Sequence, residues 1–218
     1  VLVPAIYKPF FVHDFDHHDL DISTGDFPVE QLANAIINSS MIDYACRVYL
    51  SERTKINGKI ISAWFCPDIV VAEKTVEAVE KLNLNVKLIT AKTPLKKRLE
   101  ILSDHECGKL ECLISVGVLS EGWDNPNCNM IVHLRPTLSK VFWGQSVGRG
   151  LRSAKNKNSC VVIDVSSNYL TFGPVEKLKW KLWNHRKSYL EFKNRFNWVS
   201  KQKFTENRDF TYLLCEGL

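Results

Sequence analysis

Short apolar runs recur along the middle of the chain, and most of their residues are β-branched, aromatic or leucine. Each run has the length of a strand that is buried on both faces of a sheet. We therefore predict strands at residues 59–65, 86–90, 113–116, 130–134 and 160–164.

Amphipathic segments separate these runs, with apolar residues recurring at the three- to four-residue spacing of a helix that has one buried face. Capping residues and prolines mark where such helices begin. We predict helices after Pro67, from Thr93 and Pro94, over residues 139–147, from residues 26–28 to Ile37, and from Ser40 to about residue 50. In the helix that begins near Thr93, we expect Leu95, Leu99 and Leu102 to face inward.

Strands that alternate with helices predict an α/β fold, an open parallel sheet with helices on both faces. In such sheets, ligands bind beyond the carboxyl ends of the strands. The loops that follow Phe65, Thr90, Val116 and Leu134 are therefore expected to share one edge of the sheet. Most candidate functional residues fall in these loops.

The chain divides into three predicted segments. Residues 1–57 form an irregular and helical lead-in, which is irregular over its first 25 residues and connects to an absent first lobe. Residues 58–170 form the α/β domain, and residues 171–218 form a basic, aromatic-rich helical tail. The α/β domain thus carries helical extensions at both its N- and C-terminal ends.

The tail carries the entire net charge of the chain. Residues 1–170 hold 19 lysines and arginines against 19 acidic residues, whereas residues 171–218 hold 10 against 5. A helix over residues 174–196 would place apolar and aromatic side chains on one face, with Trp180, Trp183 and Lys187 opposite. Such a helix could pack against the domain, or its cations and aromatic rings could bind nucleic acid.

Composition narrows the class of protein. The chain opens without a basic segment or a long apolar run, so we expect no signal peptide and no transmembrane helix. Seven cysteines without a C-x-x-C pair favour reduced thiols in a cytoplasmic protein. Residues 13–21 hold three histidines among acidic residues, but no regular frame fixes them, so we interpret this run as a solvated loop and predict no metal site.

Residues 145–152, QSVGRGLR, place two arginines three positions apart beside two glycines. The planar guanidinium groups of Arg149 and Arg152 match phosphate geometry and can stabilise charge on a phosphoryl group in transfer. Gly148 and Gly150 allow either a close backbone approach or a positive φ. The same residues could also form a solvated surface turn.

Two other segments precede these arginines: SVGVLSEGWDNP at residues 115–126 and HLRPT at residues 133–137. In this order and spacing, the three segments resemble motifs V and VI of superfamily 2 helicases, the DEAD/DEAH-type nucleic-acid-dependent ATPases. The resemblance is closest to the RadD-type and restriction-subunit-type helicases, and it covers about residues 59 to 175. It implies the RecA-like fold of a helicase C-terminal lobe.

This resemblance assigns roles around motif VI. Arg149 and Arg152 match the two arginines that reach from the second lobe to the γ-phosphate of ATP bound on the first. Gln145 matches the glutamine that leads the motif and lies near the same cleft, to which Gly148 also belongs.

Motif V would couple the ATP cleft to the nucleic-acid strand. Glu121, Gly122 and Asp124 match its cleft and coupling positions, and Ser120 stands where the family often has a threonine that contacts nucleic acid. By its chemistry alone, Asp124 can hold a ribose hydroxyl, fix an arginine, or form the turn before Pro126.

Residues 90–94 match a loop that touches the nucleic-acid backbone in these enzymes. A helix N-terminus with a free hydroxyl is suited to phosphate, which makes Thr90, Lys92 and Thr93 candidate nucleic-acid-binding residues. Ala91 stands where the family frequently has glycine. Arg98 matches a family arginine near the strand, although it could equally be a solvated helix charge.

Two motifs of a complete motor do not occur in the sequence. There is no G-x-x-x-x-G-K-[ST] phosphate loop and no D-E-x-[DHQ] run after a strand. We therefore interpret the chain as the second motor lobe of an ATP-dependent helicase or translocase, inactive by itself, whose ATP and Mg²⁺ are bound mainly by an absent first lobe.

The expected partners are that N-terminal RecA-like lobe and nucleic acid. The RadD-like character favours DNA over RNA, and a role in repair or restriction. The alternative is a non-catalytic nucleic-acid-binding α/β module, against which the two retained arginines argue.

Overall fold

The main feature of the computed structural model is a six-stranded sheet in which every neighbouring pair is parallel. The structure describes residues 2–12, 14–15, 26–119 and 123–178, and the backbone of 205–207 and 210–212. The strands of the sheet are β1 (Ala5–Pro9), β2 (Ser62–Phe65), β3 (Val86–Ile89), β4 (Cys112–Ser115), β5 (Met130–His133) and β6 (Cys160–Asp164). Their spatial order is β1-β6-β5-β2-β4-β3.

Helices connect the strands and cover both faces of the sheet. They are α1 (Val29–Ile37), α2 (Met41–Arg53), α3 (Ile69–Glu80), α4 (Leu95–Glu106), α5 (Lys140–Gly150) and α6 (Asn168–Phe172). The predicted open parallel α/β sheet is confirmed, as are the five predicted strands, whose ends differ by three residues or fewer.

Two clusters of buried apolar side chains lie on opposite faces of the sheet. Successive side chains of a strand point to opposite faces, and in β5 Met130 and Val132 join one cluster while Ile131 joins the other. The first cluster includes the buried faces of α1, α2 and α3, and the second includes those of α4 and α5. The near-continuous apolar runs in the sequence follow from this double coverage.

The first strand corrects the prediction that residues 1–25 are irregular. β1 pairs with β6 from Ala5 opposite Cys160 to Pro9 opposite Asp164, at one edge of the sheet. Pro9 has no amide proton, and the last position of an edge strand tolerates this loss. Because β1 has a single neighbour and Ile6 is 44% exposed, its sequence does not have the apolar pattern of a buried strand.

The helices of the predicted lead-in pack into the same core as the domain. Leu32 and Ile36 of α1, and Val48 and Tyr49 of α2, are buried in the first cluster. Asp26 does not cap α1; its carboxylate accepts hydrogen bonds from the Thr137 hydroxyl and the Leu138 amide, both at 2.8 Å. Asp26 therefore holds the segment before α1 to the loop that follows β5.

The buried face of α4 differs from the prediction. Leu95 is 69% exposed and Leu99 is 58% exposed, whereas Ile101 and His105 are buried and Leu102 is partly buried. The apolar side chains that pack against the second cluster therefore come from the second half of the helix. The inward orientation expected of Leu95 and Leu99 is wrong.

The prediction of a continuous helix from Pro174 is also wrong for its first residues. Residues Val175–Lys177 form a single 3-10 turn, and Leu178 after it is extended, with φ −63° and ψ 120°. The Val175 amide donates to the Tyr7 hydroxyl of β1 at 2.8 Å, so contacts with the edge strand hold the chain out of the helix.

The remainder of the predicted tail helix, residues 179–196, lies outside the described residues. Farther along, strands β7 (Thr205–Asn207) and β8 (Phe210–Tyr212) pair antiparallel. The tail is therefore not helical where the structure describes these two strands.

Three sequence-based expectations concern features of the whole chain. Among the described residues, no helix is long and apolar enough to cross a membrane. Six cysteines are described; none is in a disulfide and five are buried. The histidine- and acid-rich run at residues 13–21 lies almost entirely outside the described residues.

Helix α5 continues through both glycines, which the sequence analysis had assigned to a turn after the helix. Ser139 caps it by accepting a hydrogen bond from the Phe142 amide at 3.2 Å, and the helix ends at Gly150. A Cβ at Gly150 would lie 2.6 Å from Ile131 Cγ1 and 2.7 Å from Cys160 Sγ, whereas one at Gly148 would meet nothing within 4 Å. Gly150 therefore serves a close approach to the sheet, and neither glycine has a positive φ.

Substituting these two glycines should have opposite effects on stability. Gly150→Ala should lower the free energy of unfolding by about 1–3 kcal/mol, because its methyl group would overlap β5 and β6. Gly148→Ala should raise it by up to about 1 kcal/mol, because alanine favours a helix and the space is open. Urea unfolding of both variants measures this difference. Equal stability of the two would contradict the close packing at Gly150.

Candidate active site

The residues that resemble motif VI lie on the outer face of α5 and just beyond its end. Gln145, Gly148 and Arg149 are three or four positions apart, so they lie on one side of the helix. Arg152 follows two residues after the helix ends at Gly150. Gln145 is exposed and the two arginines are half-buried. The opposite side buries Trp143, Ser146 and Val147 against the sheet, which leaves the first side facing outward.

The two arginines contact the segment that resembles motif V. Arg149 Nη1 donates to the carbonyl oxygen of Trp123 at 2.6 Å, and Arg152 Nη1 forms an ion pair with the carboxylate of Asp124. Burial lowers the pKa of Arg149, and the neighbouring charge of Arg152 lowers it further. Of the roles left open for Asp124, the structure shows the one that fixes an arginine.

The Arg152–Asp124 ion pair is accessible to water. The Asp124 side chain is 60% exposed, and an ion pair that water reaches contributes at most about 1 kcal/mol. An incoming phosphate could therefore replace Asp124 at small cost. By contrast, the Arg149 bond to a backbone carbonyl fixes the direction in which that guanidinium points.

Lys157 joins the end of α5 to the end of the motif V segment. Its ammonium group donates to the carbonyl oxygens of Gly150 at 2.6 Å, Arg152 at 2.8 Å and Pro126 at 3.0 Å. These bonds satisfy helix-end carbonyls that have no partner within α5. Burial lowers the pKa of Lys157, although the positive charge suits the negative end of the helix dipole.

Trp123 and Asn125 anchor the segment from the inner side. Trp123 is buried in the second apolar cluster. Asn125 Nδ2 donates to His105 Nδ1 at 3.1 Å, and His105 Nε2 lies 3.0 Å from the carbonyl oxygen of Ser62. Sequence analysis missed His105, Asn125 and Lys157, since no motif or spacing distinguishes a single polar residue that bonds to distant backbone.

The candidate nucleic-acid loop, residues 90–94, is closed by its own hydrogen bonds. Thr93 Oγ1 accepts from the Thr90 amide at 3.0 Å, and Thr90 Oγ1 accepts from the Lys92 amide at 3.2 Å. Arg98 Nη2 donates to the carbonyl oxygens of Thr90, Ala91 and Thr93 at 3.2–3.3 Å. Both hydroxyl oxygens accept a bond from within the loop, and the role predicted for these hydroxyl groups toward phosphate stays a prediction. Arg98 braces the loop, and Lys92 is exposed.

The candidate residues form two separate groups. The loop that contains Thr90 follows the carboxyl end of β3, as predicted. Arg149 and Arg152 lie at the far end of α5, where Gly150 approaches Cys160, the first residue of β6. Because α5 runs from the carboxyl end of β5 to the amino end of β6, the two groups lie toward opposite ends of the sheet. Ser120, Glu121 and Gly122 lie outside the described residues.

Arg135, at the carboxyl end of β5, has a packing role. Its guanidinium lies 4.4 Å from the centre of the Phe142 ring and 4.0 Å from a carboxylate oxygen of Asp26. Burial lowers its pKa, and Asp26 partly opposes that effect. These contacts hold the start of α5 to the segment before α1.

Among the described residues, the site has positively charged side chains that could bind a phosphate group, and no cluster of metal ligands. Within residues 26–119 and 123–178, and the short described stretches before them, no three histidine, cysteine or acidic side chains are placed to hold a metal ion. The open space at Gly148 beside Arg149 and Arg152 leaves room for a phosphate-bearing ligand.

Comparison with known proteins supports a helicase lobe. Residues 40–154 match the family model described as the helicase conserved C-terminal domain, which covers more than half of the 218 residues. IRC3 of Saccharomyces cerevisiae, named as an ATP-dependent helicase, is 26% identical over 149 residues, which are 68% of this chain and 22% of that protein. A 51.5 kDa protein of a Lactococcus phage is 23% identical over 178 residues, or 81% of this chain and 38% of that protein.

A solved structure shows the same fold. The C-terminal domain of the DEAD-box protein Dbp5 has a TM-score of 0.51 and 14% sequence identity, and the match covers 78% of this chain and 82% of that chain. The match therefore spans about four-fifths of that isolated domain, but well under half the length of the two sequence relatives.

The contacts of Lys157 predict a large difference between two neighbouring lysines. Lys157→Met should lower the free energy of unfolding by about 1–3 kcal/mol, because it leaves three partly buried carbonyl oxygens without their donor. Lys155→Met, at an exposed position, should change it by less than about 0.5 kcal/mol. Urea unfolding of the two variants measures this. Similar values for both would show that Lys157 does not clamp the segment.

Proposed function

Because this chain belongs to the helicase conserved C-terminal domain family, we propose that it is the second motor lobe of an ATP-dependent nucleic-acid helicase or translocase. The observation that carries the proposal is the placement of Arg149 on the outer face of α5 and of Arg152 just beyond its last residue, both in contact with the motif V segment. Motif V contacts orient both side chains. A surface that only bound nucleic acid would not need one arginine fixed by a buried backbone carbonyl.

The chemistry proposed for these residues is charge stabilisation. When the first lobe holds ATP against α5, Arg149 would point at the γ-phosphate in the direction set by the Trp123 carbonyl. Arg152 would exchange Asp124 for a phosphate oxygen. Both guanidinium groups would then stabilise the negative charge that develops on the transferring phosphoryl group.

The other cofactor requirements fall to the first lobe. Magnesium, when bound there with ATP, would offset phosphate charge, and the acidic ligands for it are expected in that lobe. Gln145 and Gly148, on the same face as Arg149, would line the cleft and allow the first lobe to approach. Glu121 and Gly122 are proposed to line the same cleft as part of motif V.

The proposed nucleic-acid track lies at the other end of the sheet. Lys92 is exposed in a loop whose backbone is braced by Arg98, and Thr90 and Thr93 support that loop. Such a rigid, positively charged loop at the start of α4 is suited to a phosphate backbone. Ser120 is proposed to contact the same strand.

The finer parts of the proposal follow from the sequence motifs. The likeness to RadD-type and restriction-subunit-type helicases favours DNA over RNA, with a role in repair or restriction. Cysteines that form no disulfide among the described residues support a cytoplasmic location. ATP hydrolysis would open and close the two lobes and so move the strand.

A second candidate is a nucleic-acid-binding module without catalysis. One observation favours it: Arg149 and Arg152 both already have partners within the lobe. The experiments below separate the two candidates, because only a motor loses ATP turnover when these arginines are changed.

In the longer protein that includes the first lobe, Arg149→Ala or Arg152→Ala should lower the kcat for ATP by about 10³-fold or more. ATP binding should change less, because the arginines act mainly on charge in the transition state. Lysine at either position should restore little, since a point charge does not reproduce the planar fork. Steady-state ATPase assays with poly(dT) measure these effects.

Arg47→Ala is the matched control for these arginines, because Arg47 is exposed on α2 and its guanidinium only lies over the Tyr44 ring. It should leave kcat unchanged. Near-normal turnover in both Arg149→Ala and Arg152→Ala would favour the binding module.

The 218-residue chain by itself should show no ATPase activity stimulated by poly(dT), because it lacks a phosphate loop and a magnesium carboxylate. The measurement is phosphate release by highly purified protein. Turnover that a substitution within this chain abolishes would contradict its assignment as half of a motor.

A further inference from the structure

His105 lies where α4 meets the motif V segment. It is in the last turn of the helix and is fully buried. The first turn of α4 follows the proposed nucleic-acid loop, which Arg98 of the same helix braces. The twelve residues of α4 span about 18 Å, so one rigid element extends from the proposed track to the neighbourhood of Trp123.

The hydrogen bonds of His105 define a single arrangement of protons. Asn125 Oδ1 accepts from the Asn127 amide at 3.0 Å, so Asn125 Nδ2 faces the imidazole and donates to His105 Nδ1. Nε2 must then carry the proton and donate to the carbonyl oxygen of Ser62. Burial lowers the pKa of His105 to about 4, which keeps the imidazole neutral at pH 7, as these bonds require.

The motif V segment depends on such side-chain bonds for its position. Residues 123–127 contain neither helix nor strand. Trp123 is linked to His105 by packing, with ring centres 5.8 Å apart, and its carbonyl oxygen receives the guanidinium of Arg149. A continuous chain of contacts therefore joins α4 to Arg149 through His105, Asn125 and Trp123.

We propose that the buried His105–Asn125 pair is a positioning joint that couples nucleic-acid contact at the start of α4 to the orientation of Arg149. This inference rests on the proposed function. A strand that bound Lys92 would displace or hold α4 as a unit, and the joint would carry that change to the motif V segment. Since neither side chain reaches the outer face of α5, the pair acts through Arg149 and touches no substrate.

The His105–Asn125 pair is suited to this coupling because its hydrogen bond fixes the position of α4 relative to the motif V segment. An apolar contact at this site would tolerate sliding, whereas a buried donor and acceptor lose a bond when they separate. Asn125 has its amide oxygen occupied and its nitrogen directed at the imidazole, so α4 and the segment have one preferred register.

The test uses the longer protein with both lobes and compares ATP turnover with and without poly(dT). His105→Phe retains the ring and Asn125→Leu retains the volume, but each removes the bond between the two residues. Each should lower the stimulated kcat about tenfold and the basal kcat by a clearly smaller factor, so that the ratio of stimulated to basal kcat falls, while the KM for ATP changes less than about twofold. The double variant should be no worse than the poorer single variant, because the same bond is lost in each.

A control variant separates coupling from general loss of stability. Ile36→Val removes one buried methyl group from α1, in the cluster on the other face of the sheet. It should leave the ratio of stimulated to basal kcat unchanged.

A normal ratio in folded His105→Phe, or equal losses of basal and stimulated kcat, would overturn the joint. In either case, the proposed function still stands if Arg149→Ala has lost ATP turnover. If the unmodified protein shows no turnover that depends on Arg149, the proposed function itself fails.

Discussion

The segment from Trp123 to Pro126 lies between β4 and β5 without helix or strand, so side chains from three other elements determine its position. Arg149 of α5 and Lys157 before β6 bind its carbonyl oxygens, and His105 of α4 binds the Asn125 amide. The dependence is mutual, because the carbonyl of Trp123 also orients Arg149. A buried carbonyl or amide left without its partner costs about 1–3 kcal/mol, so these bonds define the geometry of the site.

The same constraint explains how α5 presents its arginines. Gly150 lets the end of the helix press against β5 and β6. The carbonyl groups exposed at that end are then satisfied from outside the helix, those of Gly150 and Arg152 by Lys157 and that of Leu151 by the Val3 amide at 2.7 Å. Positive side chains are also favoured at this end of the helix dipole. A glycine, a lysine and the backbone just before β1 thus position Arg149 near the end of α5 and Arg152 just beyond it.

The two groups of candidate residues lie toward opposite ends of the sheet, and this separation matters for any motor function. Thr90 and Lys92 follow the carboxyl end of β3, whereas the arginines lie near the amino end of β6. Parallel strands alone do not connect them. Helix α4 and the connection between β4 and β5 both run between the two ends, and the His105–Asn125 pair is a direct bond between α4 and the described part of that connection.

Local sequence determined the elements that satisfy a strong periodic pattern. The five buried strands and the open parallel sheet were predictable, because a strand covered on both faces must be apolar at nearly every position. The three ordered segments that resemble motifs V and VI also indicated a helicase lobe, and the family match confirms that. The residue types of Arg149 and Arg152 are compatible with phosphate binding, and the resemblance to motif VI is what predicts that role for them.

Tertiary structure decided the features that depend on distant partners. β1 is a strand because the edge of β6 is available to pair with it, and Leu95 is exposed although its place in the helical pattern predicts an inward orientation. The local sequence gives no signal for the roles of His105 and Lys157. Asn125 and Pro126, to which they bind, are 20 or more residues away along the chain. Their other partners are backbone carbonyl groups, which every residue has. Periodicity along the chain reports which side chains are buried; it does not report which element buries them.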